Sequence, residues 1–117
     1  MYSPDLSMSL GSIVYALSKL DGRLHKQEQW AVKALLAQGP YGDLALSAFF
    51  LRENTGEPGH DAYAFGMRRL VAKRLELTEH IKKRFVRILL RVAGAHNGIS
   101  PEERLFIRQF WRDIRAL

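Results

Sequence analysis

Residues 20–28 read LDGRLHKQE, and residues 95–103 read AHNGISPEE. Each stretch contains a residue that tolerates left-handed backbone, then an apolar residue, then a glutamate four positions further on. The equivalent positions lie 75 residues apart and are Gly22 and Asn97, Leu24 and Ile99, and Glu28 and Glu103. Such a stretch ends one helix and caps the amide groups at the start of the next. We therefore predict two helical corners of the same design, with Asn97 or Gly98 as the left-handed residue of the second.

The apolar pattern on either side of each corner repeats at the same offset. The matched pairs are Val14 and Leu89, Leu17 and Val92, Val32 and Ile107, Leu35 and Phe110, and Leu36 and Trp111. Two copies are too few for a repeat solenoid, so they suit one bundle. We predict an all-α fold, a compact bundle of about six to seven helices in which two pseudo-symmetric helical hairpins face each other. Residues 1–117 are expected to form a single domain.

Helical periodicity dominates the whole chain, and no strand pattern is convincing. The predicted helices span 5–20, 26–38, 44–53, 62–75, from after Thr78 to about 95, and from Pro101 onward. Asp43 and Ser100 are the predicted N-caps of the third and sixth helices, whereas His25 is a poor N-cap. The predicted loop is ENTGEPGHD, at 53–61. The first helix should bury Leu10, Ile13, Val14, Leu17 and Leu20, and only one of Phe49 and Phe50 can point inward. The two tryptophans, Trp30 and Trp111, should join either the core or a face for self-association.

Composition excludes several function classes. The 117 residues are 47% apolar and contain no cysteine, so disulfides, thiolate metal ligands and a cysteine nucleophile are ruled out. The lack of cysteine suits a reducing compartment, and we expect a cytoplasmic protein. No run approaches the roughly 20 apolar residues of a membrane helix, so we predict no transmembrane segment. The first ten residues lack a basic region before an apolar one, so no secretory signal is expected.

The double corner resembles the TerB-like domain family, which occurs in tellurite-resistance proteins and at the head of DjlA-type membrane-anchored co-chaperones. The shared pattern is [A/K]-x-D-G-x-[I/L]-x-x-x-E, present twice about 75 residues apart. It is carried here by ALSKLDGRLHKQEQWAVKALL and ILLRVAGAHNGISPEERLFIRQFW, and AFFLRENTGEPGHDAYAFGMRRL resembles the middle of the DjlA-type domain. The resemblance implies a pseudo-symmetric helical domain without established catalysis. It implies a protein-interaction module in a stress, tellurite-tolerance or co-chaperone context, although the His-Pro-Asp triplet of a J domain is missing.

A metal site at the corners is the alternative function. The stretch DGRLHKQE matches the latter half of a calcium-binding EF-hand loop, but Leu17 and Lys19 stand where the first two oxygen ligands belong. The TerB resemblance implies that Asp21, Glu28 and Glu103 are the metal ligands. His96 and Asn97 replace the expected Asp-Gly of the second corner, which breaks the symmetry of such a site. No cofactor is required for the fold. Two interpretations of Glu28 and Glu103 are left open: they bind a divalent cation, or, more simply, they only cap the helices.

Arginine rows on the last two helices suggest a third function, binding of anionic surfaces. The net charge is +6, divided into −2 over residues 1–61 and +8 over residues 62–117. Arginines recur every three or four positions, at Arg84, Arg87 and Arg91 and at Arg104, Arg108, Arg112 and Arg115. If these helices are antiparallel neighbours, the two rows would merge into one patch; otherwise they are ordinary solvated faces. No helix-turn-helix signature is present, so sequence-specific reading of nucleic acid is not expected.

Motifs of catalysis are missing from the sequence. It contains no G-x-S-x-G, no P-loop and no dinucleotide-binding fingerprint. The four histidines show no His-x-x-x-His spacing. We therefore expect a protein without enzymatic activity and without catalytic residues. Another protein is the expected partner, and the sequence leaves formation of a homodimer open.

Overall fold

The computed structural model describes residues 2–22 and 24–117. These residues form six α-helices and one short 3₁₀ helix, and they contain no β-strand. The α-helices are α1 (Pro4–Ser18), α2 (Lys26–Ala37), α3 (Gly42–Thr55), α4 (Gly59–Ala72), α5 (Glu79–Ala93) and α6 (Pro101–Arg115), and the 3₁₀ helix Arg74–Glu76 precedes α5. The Cα radius of gyration is 12.6 Å. The predicted all-α class and the number of helices are confirmed.

The two corners have closely similar local geometry. Helices α5 and α6 begin 75 residues after α1 and α2, and α5 also ends 75 residues after α1. Gly22 has φ +84°, and the matching turn contains Asn97 at φ 55° and Gly98 at φ +78°. The N-caps His25 and Ser100 are both extended, with φ −74°. Both candidates for the second left-handed position therefore adopt it, and the predicted equivalence of the two corners is confirmed.

Helix α1 lies at the centre of the bundle because small residues let other helices approach it closely. It packs mainly against α3 and α4. A Cβ built on Gly11 would lie 2.2 Å from the carbonyl oxygen of Ala45, so only glycine fits there. The buried Ser12 hydroxyl donates to the carbonyl oxygen of Ala62 at 2.7 Å. Burial of α1 on several sides distinguishes it from α5, whose outer face carries exposed charges.

One hydrophobic core contains residues of all six α-helices. The inward positions of α1 and α5 correspond at the 75-residue offset and are Leu6 and Ile81, Leu10 and Phe85, Ile13 and Ile88, Val14 and Leu89, and Leu17 and Val92. Phe110 and Ile114 of α6 complete this core. Within the described ranges, no helix combines the length and the apolar character needed to cross a membrane.

Several predicted helix ends were wrong. Helix α3 begins at Gly42, its N-cap is Tyr41 in left-handed geometry at φ 51°, and Asp43 lies in the first turn instead of capping it. It continues to Thr55, and α4 starts at Gly59, so the predicted loop at 53–61 shortens to residues 56–58. The C-cap of α3 is Gly56, whose left-handed backbone (φ +66°) ends the helix. Two further predicted ends, 20 for the first helix and 75 for the fourth, are replaced by Ser18 and Ala72.

Two predicted core residues are exposed. Trp30 is 65% exposed, because the buried stripe of α2 is set by Val32, Leu35 and Leu36 and the tryptophan points away from it. Leu20 is 44% exposed, because α1 ends at Ser18 and helical geometry therefore no longer directs the Leu20 side chain towards the core. The other predictions about large apolar residues hold: Trp111 packs partly buried against the core, Phe49 is fully buried and Phe50 only partly so.

Candidate metal centre at the paired corners

The fold brings the two corners together around one cleft. This cleft, which we call the corner cleft, has a volume of about 220 Å³. Its polar lining includes Asp21, His25 and Glu28 from the first corner and His96, Ser100, Glu102 and Glu103 from the second. The three residues predicted as metal ligands, Asp21, Glu28 and Glu103, therefore line the same cleft although they are separated by up to 82 positions in the sequence.

The first corner places three donor side chains side by side. One ligand atom each from Asp21, His25 and Glu28 lies within 4.8 Å of the other two. Asp21 Oδ2 lies 3.3 Å from His25 Nε2. The arrangement follows from local structure, because Asp21 lies in the turn and His25 and Glu28 occupy the N-cap and third position of α2. Residues three apart at a helix start share one face.

Glu28 is a carboxyl group in a poor environment for a negative charge. Its side chain is buried, with 3% of the residue exposed, and its Oε1 accepts a hydrogen bond from the His25 amide at 3.3 Å. Burial raises the pKa of Glu28 above its ordinary value, and the charges of Asp21 and Glu103 raise it further. The His25 amide and imidazole oppose this rise. A proton or a cation beside the carboxylate would relieve the unfavourable charge.

The second corner adds a histidine that faces the first. The His96 ring stacks on the His25 ring with centroids 3.9 Å apart and planes inclined by 21°. His96 Nε2 lies 3.3 Å from the Asn97 side-chain nitrogen. Glu103 Oε1 accepts the Ser100 amide hydrogen bond at 2.8 Å, so this oxygen serves the cap of α6.

The stacking of His25 on His96 was not predicted from the sequence. His25 was predicted to be a poor N-cap, and His96 was interpreted as a departure from Asp-Gly, with a helix-end residue or a single metal ligand as its possible roles. The offset of 75 contained a usable signal, because it places His96 at the position equivalent to Asp21. It also shows why the site is one-sided: His25 corresponds to Ser100, so the second corner lacks the middle ligand of the triad.

The arginine row of α5 lines a cleft that the arginine row of α6 does not line. Arg84, Arg87 and Arg91, which we call the α5 arginines, line a cleft of about 180 Å³ together with Leu35, Gln38 and Ile88. The predicted residues of α6, Arg104, Arg108 and Arg112, are exposed and lie outside its lining. This cleft lies between α2 and α5, and the merging of both rows into one surface patch stays a prediction.

An apolar groove forms a third surface feature. It has a volume of about 480 Å³ and lies between α1, α4 and α6. Ala16, Leu20, Tyr63 and Phe106 provide much of its lining. The Tyr63 and Phe106 rings meet edge to face, with centroids 5.3 Å apart. The groove therefore has a rigid aromatic wall beside an exposed leucine.

Comparison with protein-family models, with curated proteins and with solved structures gave no match. The resemblance to the TerB-like family stays a prediction from the two corner motifs.

Proposed function

We propose that this chain is a non-catalytic, TerB-like helical domain whose corner cleft binds a divalent transition-metal cation. The observation that carries the proposal is the placement of donor atoms of Asp21, His25 and Glu28 within 4.8 Å of one another. Ligands about 2.1 Å from a tetrahedral zinc ion lie about 3.4 Å apart, so modest side-chain rotations would close the set. His96 and Glu103 supply further donors in the same cleft.

The donor types favour a transition metal over calcium. Calcium takes six to eight oxygen ligands, and an EF-hand-like loop would need oxygens where Leu17 and Lys19 stand. One imidazole with two carboxylates suits zinc, manganese, iron or nickel. We use zinc as the probe because it accepts nitrogen and oxygen donors in four-coordinate sites.

Helix capping alone leaves part of the geometry unexplained. A cap requires Glu28 Oε1 at the His25 amide, as Glu103 does for Ser100 in the other corner. It does not require the Asp21 carboxylate 3.3 Å from the His25 imidazole. Nor does it require an elevated pKa at Glu28, which makes that carboxylate an unfavourable charge until a cation balances it.

A thermal-shift titration with zinc tests the proposal on the metal-free chain. At a free zinc concentration one hundred times Kd, stabilisation of about 2.7 kcal/mol and a Tm rise of about 10 °C are expected. Asp21→Asn should greatly reduce the rise. The matched control is Asp43→Asn, which removes the same charge. Asp43 is an exposed residue in the first turn of α3 and does not line the corner cleft.

The proposal fails if zinc, manganese, iron(II) and nickel all leave the Tm of the wild-type chain unchanged. It also fails if Asp43→Asn reduces the zinc effect as much as Asp21→Asn does, since the cation would then bind to acidic surface in general. Isothermal titration at two pH values adds a second readout. A coordinating imidazole and carboxylates must be deprotonated, so zinc binding should weaken as the pH falls.

Protein interaction is the second candidate function, and the apolar groove favours it. An exposed apolar surface flanked by Leu20 and the aromatic wall suits the side chains of a partner. The TerB resemblance implies a stress, tellurite-tolerance or co-chaperone setting, and a chain without cysteine fits the cytoplasm.

Chemical cross-linking of a partner protein to the wild-type chain and to two variants tests this second candidate function. Leu20→Lys should abolish cross-linking of the partner, because Leu20 lines the groove. Leu75→Lys should still cross-link to it, because Leu75 is 96% exposed and does not line the groove. Equal retention by both variants would remove the groove from consideration.

A further inference from the structure

We infer that the cleft between α2 and α5 is a binding site for a single phosphate group, held by the α5 arginines. This inference goes beyond the proposed function and uses different residues. Arg84, Arg87 and Arg91 recur at intervals of three and four on α5, and all three line the cleft of about 180 Å³. Gln38, the C-cap residue of α2, also lines the cleft. The guanidinium fork is the protein group best matched to phosphate oxygens.

The α5 arginines, of which Arg84 is half-buried and Arg87 and Arg91 are exposed, lack the carboxylate neighbours that three other cations of this protein possess. Arg52 lies 3.2 Å from Glu57, Arg69 lies 2.6 Å from Asp5, and the buried Lys82 lies 3.7 Å from Glu79. Over residues 2–22 and 24–117, by contrast, no carboxylate lies within 4.0 Å of Arg84, Arg87 or Arg91. Three positive charges thus converge on one cleft without a counter-charge from the described chain.

Arg84 is held in place within the fold. Its guanidinium lies beside the Tyr2 hydroxyl, and its charge opposes the rise in the pKa of Tyr2 that burial causes. The Arg84 Nε is buried and has no hydrogen-bond partner among the described residues. Tyr2 itself is buried and meets the Phe85 ring edge to face, with centroids 5.2 Å apart. A positioned guanidinium loses little conformational entropy when it binds an anion.

The end of α2 explains only part of this arrangement. Helix α2 ends at Ala37 with Gln38 as its C-cap, and the carbonyl end of a helix attracts cations. That end is equivalent to roughly half a negative charge, whereas the α5 arginines supply three full positive charges. The cleft therefore keeps a net positive potential after the helix end is counted.

The size of the cleft limits the ligand to a small anion. Drug-sized ligands occupy pockets of about 300–1,000 Å³, which exceeds the space here. A phosphate monoester group fits, with its remaining substituent in solvent. Such a group reaches the protein either on a small soluble phosphate compound or on the headgroup of a phospholipid, and the experiment distinguishes these sources.

Nuclear magnetic resonance on the 15N-labelled full chain, with a chelator present, tests the site directly. The probe is inorganic phosphate, compared with chloride at equal ionic strength. We expect saturable shifts of the amides of residues 84–91 and of the arginine Nε–Hε signals with phosphate alone. Arg87→Gln and Arg91→Gln should each raise Kd about tenfold, because each removes a charge-assisted hydrogen bond.

Arg108→Gln is the matched control because it removes the same charge from an exposed site on α6. It should change Kd by less than about twofold, as expected for a screened remote charge. An effect equal to that of Arg91→Gln would overturn the inference, and so would shifts that do not saturate or that chloride reproduces. The spectra of the variants themselves report whether each remains folded.

Vesicles identify the source of the phosphate group. Flotation with vesicles of phosphatidic acid in phosphatidylcholine, competed by inorganic phosphate and lost in Arg91→Gln, supports a phospholipid headgroup. Saturable binding of inorganic phosphate in solution without flotation supports a small soluble phosphate compound. The chelator keeps both measurements independent of cation binding at the corner cleft.

Discussion

Substitution of Glu28 by glutamine should stabilise the metal-free protein and abolish its response to zinc. Glutamine retains a side-chain oxygen for the His25 amide, which Glu28 Oε1 now accepts at 3.3 Å, so the cap of α2 survives. The substitution removes a carboxylate that is buried beside Asp21 and near Glu103. One change therefore separates the capping role of this position from its charge.

The size of the stabilisation follows from the corner geometry. The donor atoms of Asp21 and Glu28 lie no more than 4.8 Å apart. Two like charges at that distance repel by about 0.9 kcal/mol at a water-like dielectric constant of about 80. That dielectric is appropriate because the Asp21 side chain is 53% exposed. Desolvation of Glu28 adds to this value and the favourable first-turn position of its charge reduces it, so we expect a gain of about 1 kcal/mol at pH 7.

The pH dependence has a defined sign. Because the folded-state pKa of Glu28 is raised, the protonated form is favoured by folding. The stability contributed by Glu28 is complete below its ordinary pKa of 4.5 and is lost as the pH rises through the elevated value. The advantage of Glu28→Gln over wild type should therefore be close to zero in acid and grow through this window to a plateau.

Urea unfolding with excess chelator, repeated between pH 4 and pH 8, measures this difference. Glu28→Ala serves as the companion variant, because it removes the cap as well as the charge and should be about 1 kcal/mol less stable than Glu28→Gln. A metal-free Glu28→Gln protein less stable than wild type at pH 7 would refute the reasoning. A full zinc response in Glu28→Gln would separately remove Glu28 from the cation site.

Three further predictions concern the fold. Gly11→Ala should cost at least about 2 kcal/mol in chemical unfolding because its Cβ would meet an α3 carbonyl at 2.2 Å. Gly59→Ala should change stability by less than about 0.5 kcal/mol, because a Cβ built on Gly59 would have Lys19 Cβ, at 3.5 Å, as its nearest neighbour. Ser100→Ala should cost about 1 kcal/mol because it removes the 3.1 Å cap bond of α6, and thermal unfolding measures this loss. Trp30→Gln should leave the Tm nearly unchanged, whereas Trp111→Gln should lower it, since only the second tryptophan packs against the core.

The corners were predictable because their information is local. A left-handed residue, an apolar plug and a capping glutamate determine a turn within about nine positions. Helix ends that depend on other parts of the fold were predicted less well. Asp43 is a favourable N-cap by residue type, yet α3 starts earlier, at Gly42, behind a left-handed Tyr41. A Cβ on Gly42 would lie 2.8 Å from the carbonyl of Leu36, so the turn is packed against the end of α2.

The candidate site was predictable only in part. The resemblance to the TerB-like family implied Asp21, Glu28 and Glu103 as ligands, and the structure places them around one cleft. The stacking of His25 on His96 depends on the relative placement of the two hairpins. No periodicity within either copy encodes that placement, because it results from how the second hairpin packs against the first.

The central position of α1 has a consequence for synthesis of the chain on the ribosome. Its main packing partners are α3 and α4, and the last residue of α4, Ala72, is translated 54 residues after Ser18. At about 5–20 residues per second, this interval is about 3–10 s. During that time an emerging segment with apolar residues on several sides lacks its natural cover. The apolar surface of α1 therefore stays uncovered in the nascent chain until α3 and α4 have been synthesised.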